Sequence, residues 1–289
     1  MPSYNHAEFI VASIASVLEQ DHSHLELIVA DGGSTDGTID ILKRIQTQDS
    51  RLRWVSEPDT GPANAINKAL GRVRGTFIGW LNSDDLYTPG AIGRAVAALS
   101  GPERHVLVYG QGIHVDVQGN ELDRYPTLPP ETRYSRFSDS CFICQPTVFF
   151  TRTAHHLLGP LDESVKTAFD FEYWLRAFKA FRGRIGFVDE VQACSRLHDD
   201  CITLKMRYWV ALEGIQVVHK HMGAAPGHWL LTYFAELVAG EGLPPTGQTL
   251  REHAEHTLLA ASAYLSPAEL GKIRQTLKDD AHYAQLNTA

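Results

Sequence analysis

Long apolar runs, basic blocks and a second cysteine pair spaced to complete the Cys141-x-x-Cys144 half of a zinc pattern are all missing from this 289-residue sequence. No apolar stretch reaches the ~18 residues that a bilayer span needs. The N-terminus has no basic segment leading into an apolar run, so the expectation is a chain without a signal peptide. No cluster of Lys or Arg offsets the formal net charge of -8, which argues against a nucleic-acid partner. There are only four cysteines, Cys141, Cys144, Cys194 and Cys201. The second pair is spaced too widely for the usual zinc patterns, and Cys144 sits in the apolar run Phe142 to Phe150, which reads as a buried strand. Buried thiols in a reducing compartment are expected in place of bound zinc. Neither an H-E-x-x-H metal motif nor a G-x-G-x-x-G fingerprint occurs, and the second absence argues against a dinucleotide oxidoreductase. The reading is a cytoplasmic chain, with peripheral contact at the inner membrane face left open. The sequence sets no oligomeric state.

What is present is an ordinary globular composition, 44% apolar and 21% charged, with enough length for a sizeable core. Asn5-x-x-Glu8 ahead of Phe9, Ile10, Ile14, Val17 and Leu18 reads as a capped helix. Leu25 to Ala30 is apolar without alternation, as in a strand buried on both faces. It ends in Asp31-Gly32-Gly33-Ser34-Thr35-Asp36, and a helix follows with Ile39, Leu42 and Ile45 on one face. Leu52 to Ser56 reads as a strand that turns through Glu57-Pro58-Asp59-Thr60-Gly61 into a helix carrying Ala65, Ile66, Ala69 and Leu70. Thr76 to Leu81 is a third strand, closing on Asn82-Ser83-Asp84-Asp85, and Pro89 opens another helix.

This alternation predicts an α/β fold with a parallel sheet covered on both faces. Ligands of such sheets bind at the carboxyl ends of the strands. The polar clusters at 31–36, 57–61 and 82–85 all fall there and are expected to converge on one rim. Further on, Val106 to Tyr109, Ile113 to Val117, Val148 to Phe150 and Arg184 to Ser195 read as strands, and Phe169 to Phe181 as a helix. Residues 120–140, with Pro126, Pro129 and Pro130, read as an irregular loop. Helical stretches centred on Tyr208–His219, Trp229–Val238, Leu250–Tyr264 and Pro267–Lys278 follow, broken at 223–227 and 241–247. The expected division is an α/β domain over 1–204 and a helical region over 205–289.

Adjacent carboxylates repel each other, so Asp84 and Asp85 either form a solvated turn or flank something positive. Hard oxygen ligands at the mouth of a sheet suit Mg²⁺ or Mn²⁺, which in turn suit a diphosphate. Asn-Ser-Asp-Asp is also good turn composition, and from these residues alone both readings stand.

Seven segments in order carry a resemblance to a known family. They are "PSYNHAEFIVASIASVLEQ", "VADGGSTDGT", "SEPDTGPANAINKAL", "GWLNSDD", "CQPTVFFTR", "FDFEYWLRAF" and "SRLHDD", covering residues 2 to about 204. Together they resemble the inverting family 2 glycosyltransferases, which have the nucleotide-sugar-binding GT-A fold. The resemblance implies a nucleotide-sugar donor, a glycan or lipid-linked acceptor, and Mn²⁺ or Mg²⁺ as cofactor. Donor contacts are implied for Pro2, Ser3, Tyr4, Asn5, Asp31, Asp59, Gly61, Asn64, Asn82 and Asp84. Asn82 stands where many relatives carry the first Asp of Asp-x-Asp. Asp85 is expected as the direct metal ligand, with Asp84 facing ribose or metal.

Asp170 matches the family's base, which takes the acceptor proton, and Glu172 is its local competitor. Gln145 and Arg152 are expected to line the acceptor side, and Arg196 and His198 to serve the diphosphate or metal. Tyr173-Trp174-Leu175-Arg176 stands where processive synthases carry Gln-x-x-Arg-Trp, so transfer of a single sugar is expected. Two rival classes are a degenerate nucleotide-sugar-binding module and a nucleotidyltransferase. The second lacks its Gly-rich, cationic loop at Ser3-Tyr4-Asn5. Relatives precede the Pro2 segment with an apolar central strand, so a further strand upstream, or a truncated copy, is expected.

Overall fold

The structure is a computed structural model of the chain in which residues 1–241, 244, 245 and 247–286 are described. Gly242, Leu243 and Thr246, inside the expected break at 241–247, lie outside the described residues. The chain divides into two compact units, 1–133 with 141–198, and 134–140 with 199–289.

The first unit opens as strand and helix in alternation: β1 (Pro2–Ser3), α1 (Ile10–Leu18), β2 (Leu27–Asp31), α2 (Thr38–Gln48), β3 (Leu52–Ser56) and α3 (Pro62–Leu70). The three strands form a parallel sheet in the order β1-β2-β3. Its register sets Ser3 beside Asp31 and Asp31 beside Ser56. Every residue of β2 is buried, which is why its sequence shows no alternation. Helix α1 lays Ile10, Ile14 and Val17 against Leu27, Val29, Leu42 and Leu52. Each such fully buried aliphatic side chain contributes ~1.5–3 kcal/mol.

The rest of the unit contains β4 (Phe77–Gly79), β5 (Leu86–Tyr87), α4 (Ala91–Ser100), β6 (Leu107–Val115), β7 (Glu121–Arg124), β8 (Phe149–Thr151), α5 (Arg152–Leu158), α6 (Phe169–Ala180) and β9 (Ile185–Arg196). The second sheet runs β4-β8-β6-β9-β5, with β7 on β6. It is mixed: β6 and β9 are parallel, whereas β4–β8, β6–β8, β5–β9 and β6–β7 are antiparallel. An apolar cavity of about 340 Å³ lies between β2 and β4, with Leu27, Ile28, Phe77 and Ile78 among its walls.

Four local expectations change. Asn5 does not cap α1; it sits at φ 53 and its side chain accepts from Thr35 N at 2.9 Å. The stretch Phe142 to Phe150 is not one strand, because Pro146 falls in a 3-10 turn over Gln145–Thr147 before β8 begins. The two strands expected between Val106 and Val117 are one, β6, which runs through Gly110 and Gly112. Residues 120–140 include β7, hydrogen-bonded to β6.

The second unit is helical: α7 (Ile202–Lys205), α8 (Arg207–Met222), α9 (His228–Val238), α10 (Leu250–Ala261) and α11 (Pro267–Asp279). Ile215, Val218, Leu230, Phe234, Leu258 and Leu277 are among its buried residues. Thr249 and Glu252 form a capping box on α10, and Ser266 caps α11 ahead of Pro267. Among the described residues no helix is long and apolar enough to cross a membrane.

Candidate active site

The carboxyl ends of β1, β2 and β3 meet at one place. The Asp31 carboxylate accepts from Gly33 N, Ser34 N and Ser56 Oγ at 2.7–2.9 Å, and from Ser34 Oγ. It is almost fully buried, so its first task is to shape the 32–36 loop. Ser3 is buried beside it in β1. A side chain at Gly32 would come within 2.5 Å of Asp59 Oδ2 and 3.3 Å of Tyr4, so the three segments touch there. Tyr4 is 61% exposed and offers an open ring face. Asp59 accepts from Gly61 N at 2.9 Å, and Gly61 has φ 134, which only glycine adopts without strain. Asn64, one turn further into α3, donates to Glu163 at 2.8 Å.

The two aspartates after β4 face opposite ways. Asp84 Oδ2 lies 3.1 Å from His198 Nε2. One ring nitrogen of His6, one of His198 and an Asp84 oxygen all lie within 4.8 Å of one another. This set fits a divalent transition metal better than it fits Mg²⁺, because imidazole is a softer donor than oxygen. Asp85 instead turns inward. It accepts from Arg196 N at 2.9 Å and from Asn82 Nδ2 at 3.0 Å. Burial and the neighbouring Asp84 charge push its pKa well above the usual carboxylate range. Asp85 lies just ahead of β5, whose Leu86 pairs with Cys194 of β9, and this places it against the Arg196 backbone.

Asn82 is engaged within the protein. Its Nδ2 reaches Gln145 Oε1 at 2.9 Å as well as Asp85, and its Oδ1 accepts from Trp80 Nε1 at 3.1 Å. Gln145 Nε2 in turn donates to Trp80 O at 2.7 Å. Trp80 stacks on Phe169, the residue before Asp170 at the start of α6. The chain thus ties the aspartate rim to that helix N-terminus. The Cys144 thiol is within electrostatic reach of both Asp85 and Asp170. Burial pushes Asp170 up to about 6. Glu172, two positions beyond, is buried and ion-paired to Arg176 at 2.8 Å. All four cysteines are free, and burial raises the Cys141 thiol to about 12.

The sequence profile described as Glycosyl transferase family 2 matches residues 1–157. The chain belongs to that family. It is 31% identical over 176 residues to the chondroitin synthase of Escherichia coli, covering 61% of this chain but only 25% of that protein. It is also 31% identical over 180 residues to UDP-Glc:alpha-D-GlcNAc-diphosphoundecaprenol beta-1,3-glucosyltransferase WfgD of Escherichia coli, covering 62% of this chain and 68% of that one. Solved structures share the fold. TarS 1–349 of S. aureus in complex with UDP-GlcNAc superposes with a TM-score of 0.63 at 16% identity, covering 99% of this chain and 88% of that one. The mannosyltransferase PcManGT of Pyrobaculum calidifontis, in complex with GDP-Man and Mn²⁺, gives 0.58 at 21% identity, covering 99% and 81%. This family 2 chain therefore has the GT-A architecture, one parallel and one mixed sheet with helices.

Asp85, expected as the direct metal ligand, is instead taken up by Arg196 N and Asn82, and Asp84 stands with His198. Two further residues of this family 2 chain are placed otherwise than the sequence implied. Arg196 does not project toward a diphosphate. Its Nε donates to Asp84 O at 2.8 Å and its Nη1 to Asp116 O and Val117 O, so the buried guanidinium holds loops together. Arg152 starts α5 beside the beginning of β4, away from its carboxyl end: its backbone N donates to Thr76 O, six residues before Asn82. His6 is the residue that sequence reasoning missed. Its one signal is its place directly after Tyr4-Asn5 in the first donor segment.

Proposed function

We propose that this chain is a metal-dependent inverting glycosyltransferase. It moves one sugar from a nucleoside-diphosphate sugar to a hydroxyl of a glycan or lipid-linked acceptor, in cytoplasmic steps of polysaccharide or glycoconjugate synthesis. The observation that carries the reading is the pairing of Asp84 with His198 beside the convergence of Tyr4, Gly32 and Asp59. Tyr4 and Asp59 receive the nucleoside, on a loop that Asn5 and Asp31 hold in shape. Asp84 and His198 would hold Mn²⁺ or Mg²⁺, which when bound neutralises charge on the departing diphosphate. Asp170 takes the proton of the acceptor hydroxyl as that oxygen attacks the anomeric carbon. A pKa of about 6 leaves it ionised, yet basic enough, near neutrality. Glu172 is left to its ion pair. Asp85, Asn82, Gln145 and Arg196 keep the rim rigid. Residues 1–204 carry the donor site and the base, and 205–289 are a helical appendage.

The metal-bearing relative contains Mn²⁺ and the uridine-bearing one UDP-GlcNAc, which sets the panel for a test. Thermal melts with UDP, GDP, CDP and ADP, with and without Mn²⁺, measure donor recognition by mass action. One nucleotide raising the melting temperature only when Mn²⁺ is present supports the reading. A chain indifferent to all four contradicts it. Engagement of Asn82 within the protein favours one second reading, a nucleotide-sugar-binding module without turnover. It predicts the same melts and no product.

A further inference from the structure

We infer that His6 is a third protein ligand and makes the Asp84–His198 site a transition-metal site that fills before the nucleotide arrives. The inference rests on the proposed function and adds to it a loading order and a metal preference.

Three observations carry it. One ring nitrogen of His6 belongs to the same group as Asp84 and His198, all within 4.8 Å. Ligand atoms bound side by side at ~2.1 Å to an octahedral ion sit ~3 Å apart, and Asp84 Oδ2 and His198 Nε2 are already 3.1 Å apart. The His6 ring is also oriented from behind, with Nδ1 2.7 Å from Ser83 Oγ. Ser83 is fully buried, and its carbonyl accepts from Ser13 Oγ at 2.9 Å, so the hydroxyl has a fixed seat. A polar partner on Nδ1 orients the ring and leaves Nε2 as the ligating nitrogen. Phe9 packs on the His198 ring at 4.7 Å between centroids and fixes the other imidazole.

The consequence follows from ligand count and softness. Mg²⁺ sites on nucleotide enzymes use one or two carboxylates and depend on substrate phosphates to complete the shell. A site with two imidazoles and one carboxylate holds an ion without phosphate, and nitrogen donors favour Co²⁺, Zn²⁺ or Mn²⁺ over Mg²⁺. His6 lies one residue from Asn5, which braces the 32–36 loop, so a loaded ion would tie the first donor segment to the aspartate rim before the donor binds.

The test is metal binding to the EDTA-stripped 289-residue chain in the absence of nucleotide. Co²⁺, Mn²⁺ and Mg²⁺ are titrated by calorimetry, and the visible absorption of Co²⁺ reports nitrogen ligation. One equivalent of Co²⁺ and of Mn²⁺ is expected, with Mg²⁺ weaker by on the order of 10-fold or more. His6→Ala is expected to weaken Co²⁺ by on the order of 10-fold or more and to alter its spectrum. His6→Gln, which can still reach Ser83, is measured beside it, and melting curves of both confirm the fold. Unchanged Co²⁺ affinity and spectrum in the folded variants overturn the inference. Metal binding by wild type only after UDP or GDP is added also overturns it, while leaving the proposed function standing. Failure to bind metal with or without nucleotide removes both.

Discussion

His198 Nε2 stands 3.1 Å from Asp84 Oδ2, joining residues 114 positions apart at the end of β9 and the end of β4. Neither group is free to wander. The Arg196 side chain holds the Asp84 backbone, and Phe9 packs on the His198 ring. Asp84→Asn and His198→Ala are therefore expected to lose Mn²⁺-dependent nucleotide binding by on the order of 10–100-fold while keeping the fold. Calorimetry with Mn²⁺ and the nucleotide identified by melting checks this. Undiminished binding would move the cation elsewhere.

Asp85 is expected to behave differently from its neighbour. Removing its carboxylate leaves Arg196 N buried without its acceptor, at a cost of about 1–3 kcal/mol. Asp85→Ala should lower the denaturation midpoint yet disturb metal affinity of the folded protein far less than Asp84→Asn does. The reverse pattern would restore Asp85 as the ligand.

The base has a signature in pH. Burial pushes Asp170 up to about 6, so kcat/KM should fall as pH drops through that value and the carboxylate takes up a proton. Asp170→Asn should abolish that limb and lower kcat by on the order of 10²-fold, with donor affinity nearly unchanged. The stability effect has the opposite sense. A carboxyl with a raised folded pKa favours folding at low pH, and this contribution is lost as pH rises from about 4 to about 6. Denaturation of wild type and Asp170→Asn across that window reads it directly.

Glu172 is the control for that assignment. Its buried carboxylate pairs with Arg176, whose Nη atoms also donate to Leu158 O and Pro160 O. Glu172→Gln should lower stability by about 1–3 kcal/mol through that pair and leave kcat near wild type. A kcat loss matching that of Asp170→Asn would make Glu172 the base.

Local patterns made much of this chain legible. The apolar run of β2, the polar strand ends and the helical stretches after Ile202 each follow from short-range chemistry, and the structure has all of them. Gly110 and Gly112 read as a break because glycine weakens strands, yet β6 needs them. A side chain at Gly110 would strike Val188 O and one at Gly112 the Cys144 thiol. Strand β7 is wholly exposed, so no apolar alternation marked it. Both adjacent aspartates are buried, and which of them pairs with His198 depends on where β9 ends, which no local pattern shows. The meeting of His6 with Asp84 and His198 was not legible either, since it depends on three segments brought together only by the folded sheets.

The central claim is group transfer, and its most direct measurement is nucleoside-diphosphate release from a panel of UDP- and GDP-sugars. Wild type, Asp84→Asn and Asp170→Asn are compared with Mn²⁺ and with EDTA, each with a mixture of glycan and lipid-linked acceptors. The account predicts release from one donor by wild type with Mn²⁺, abolition by EDTA, and loss in both variants, with Asp170→Asn still binding the donor. Tight donor binding without release from any sugar, or release that survives both substitutions, would contradict it.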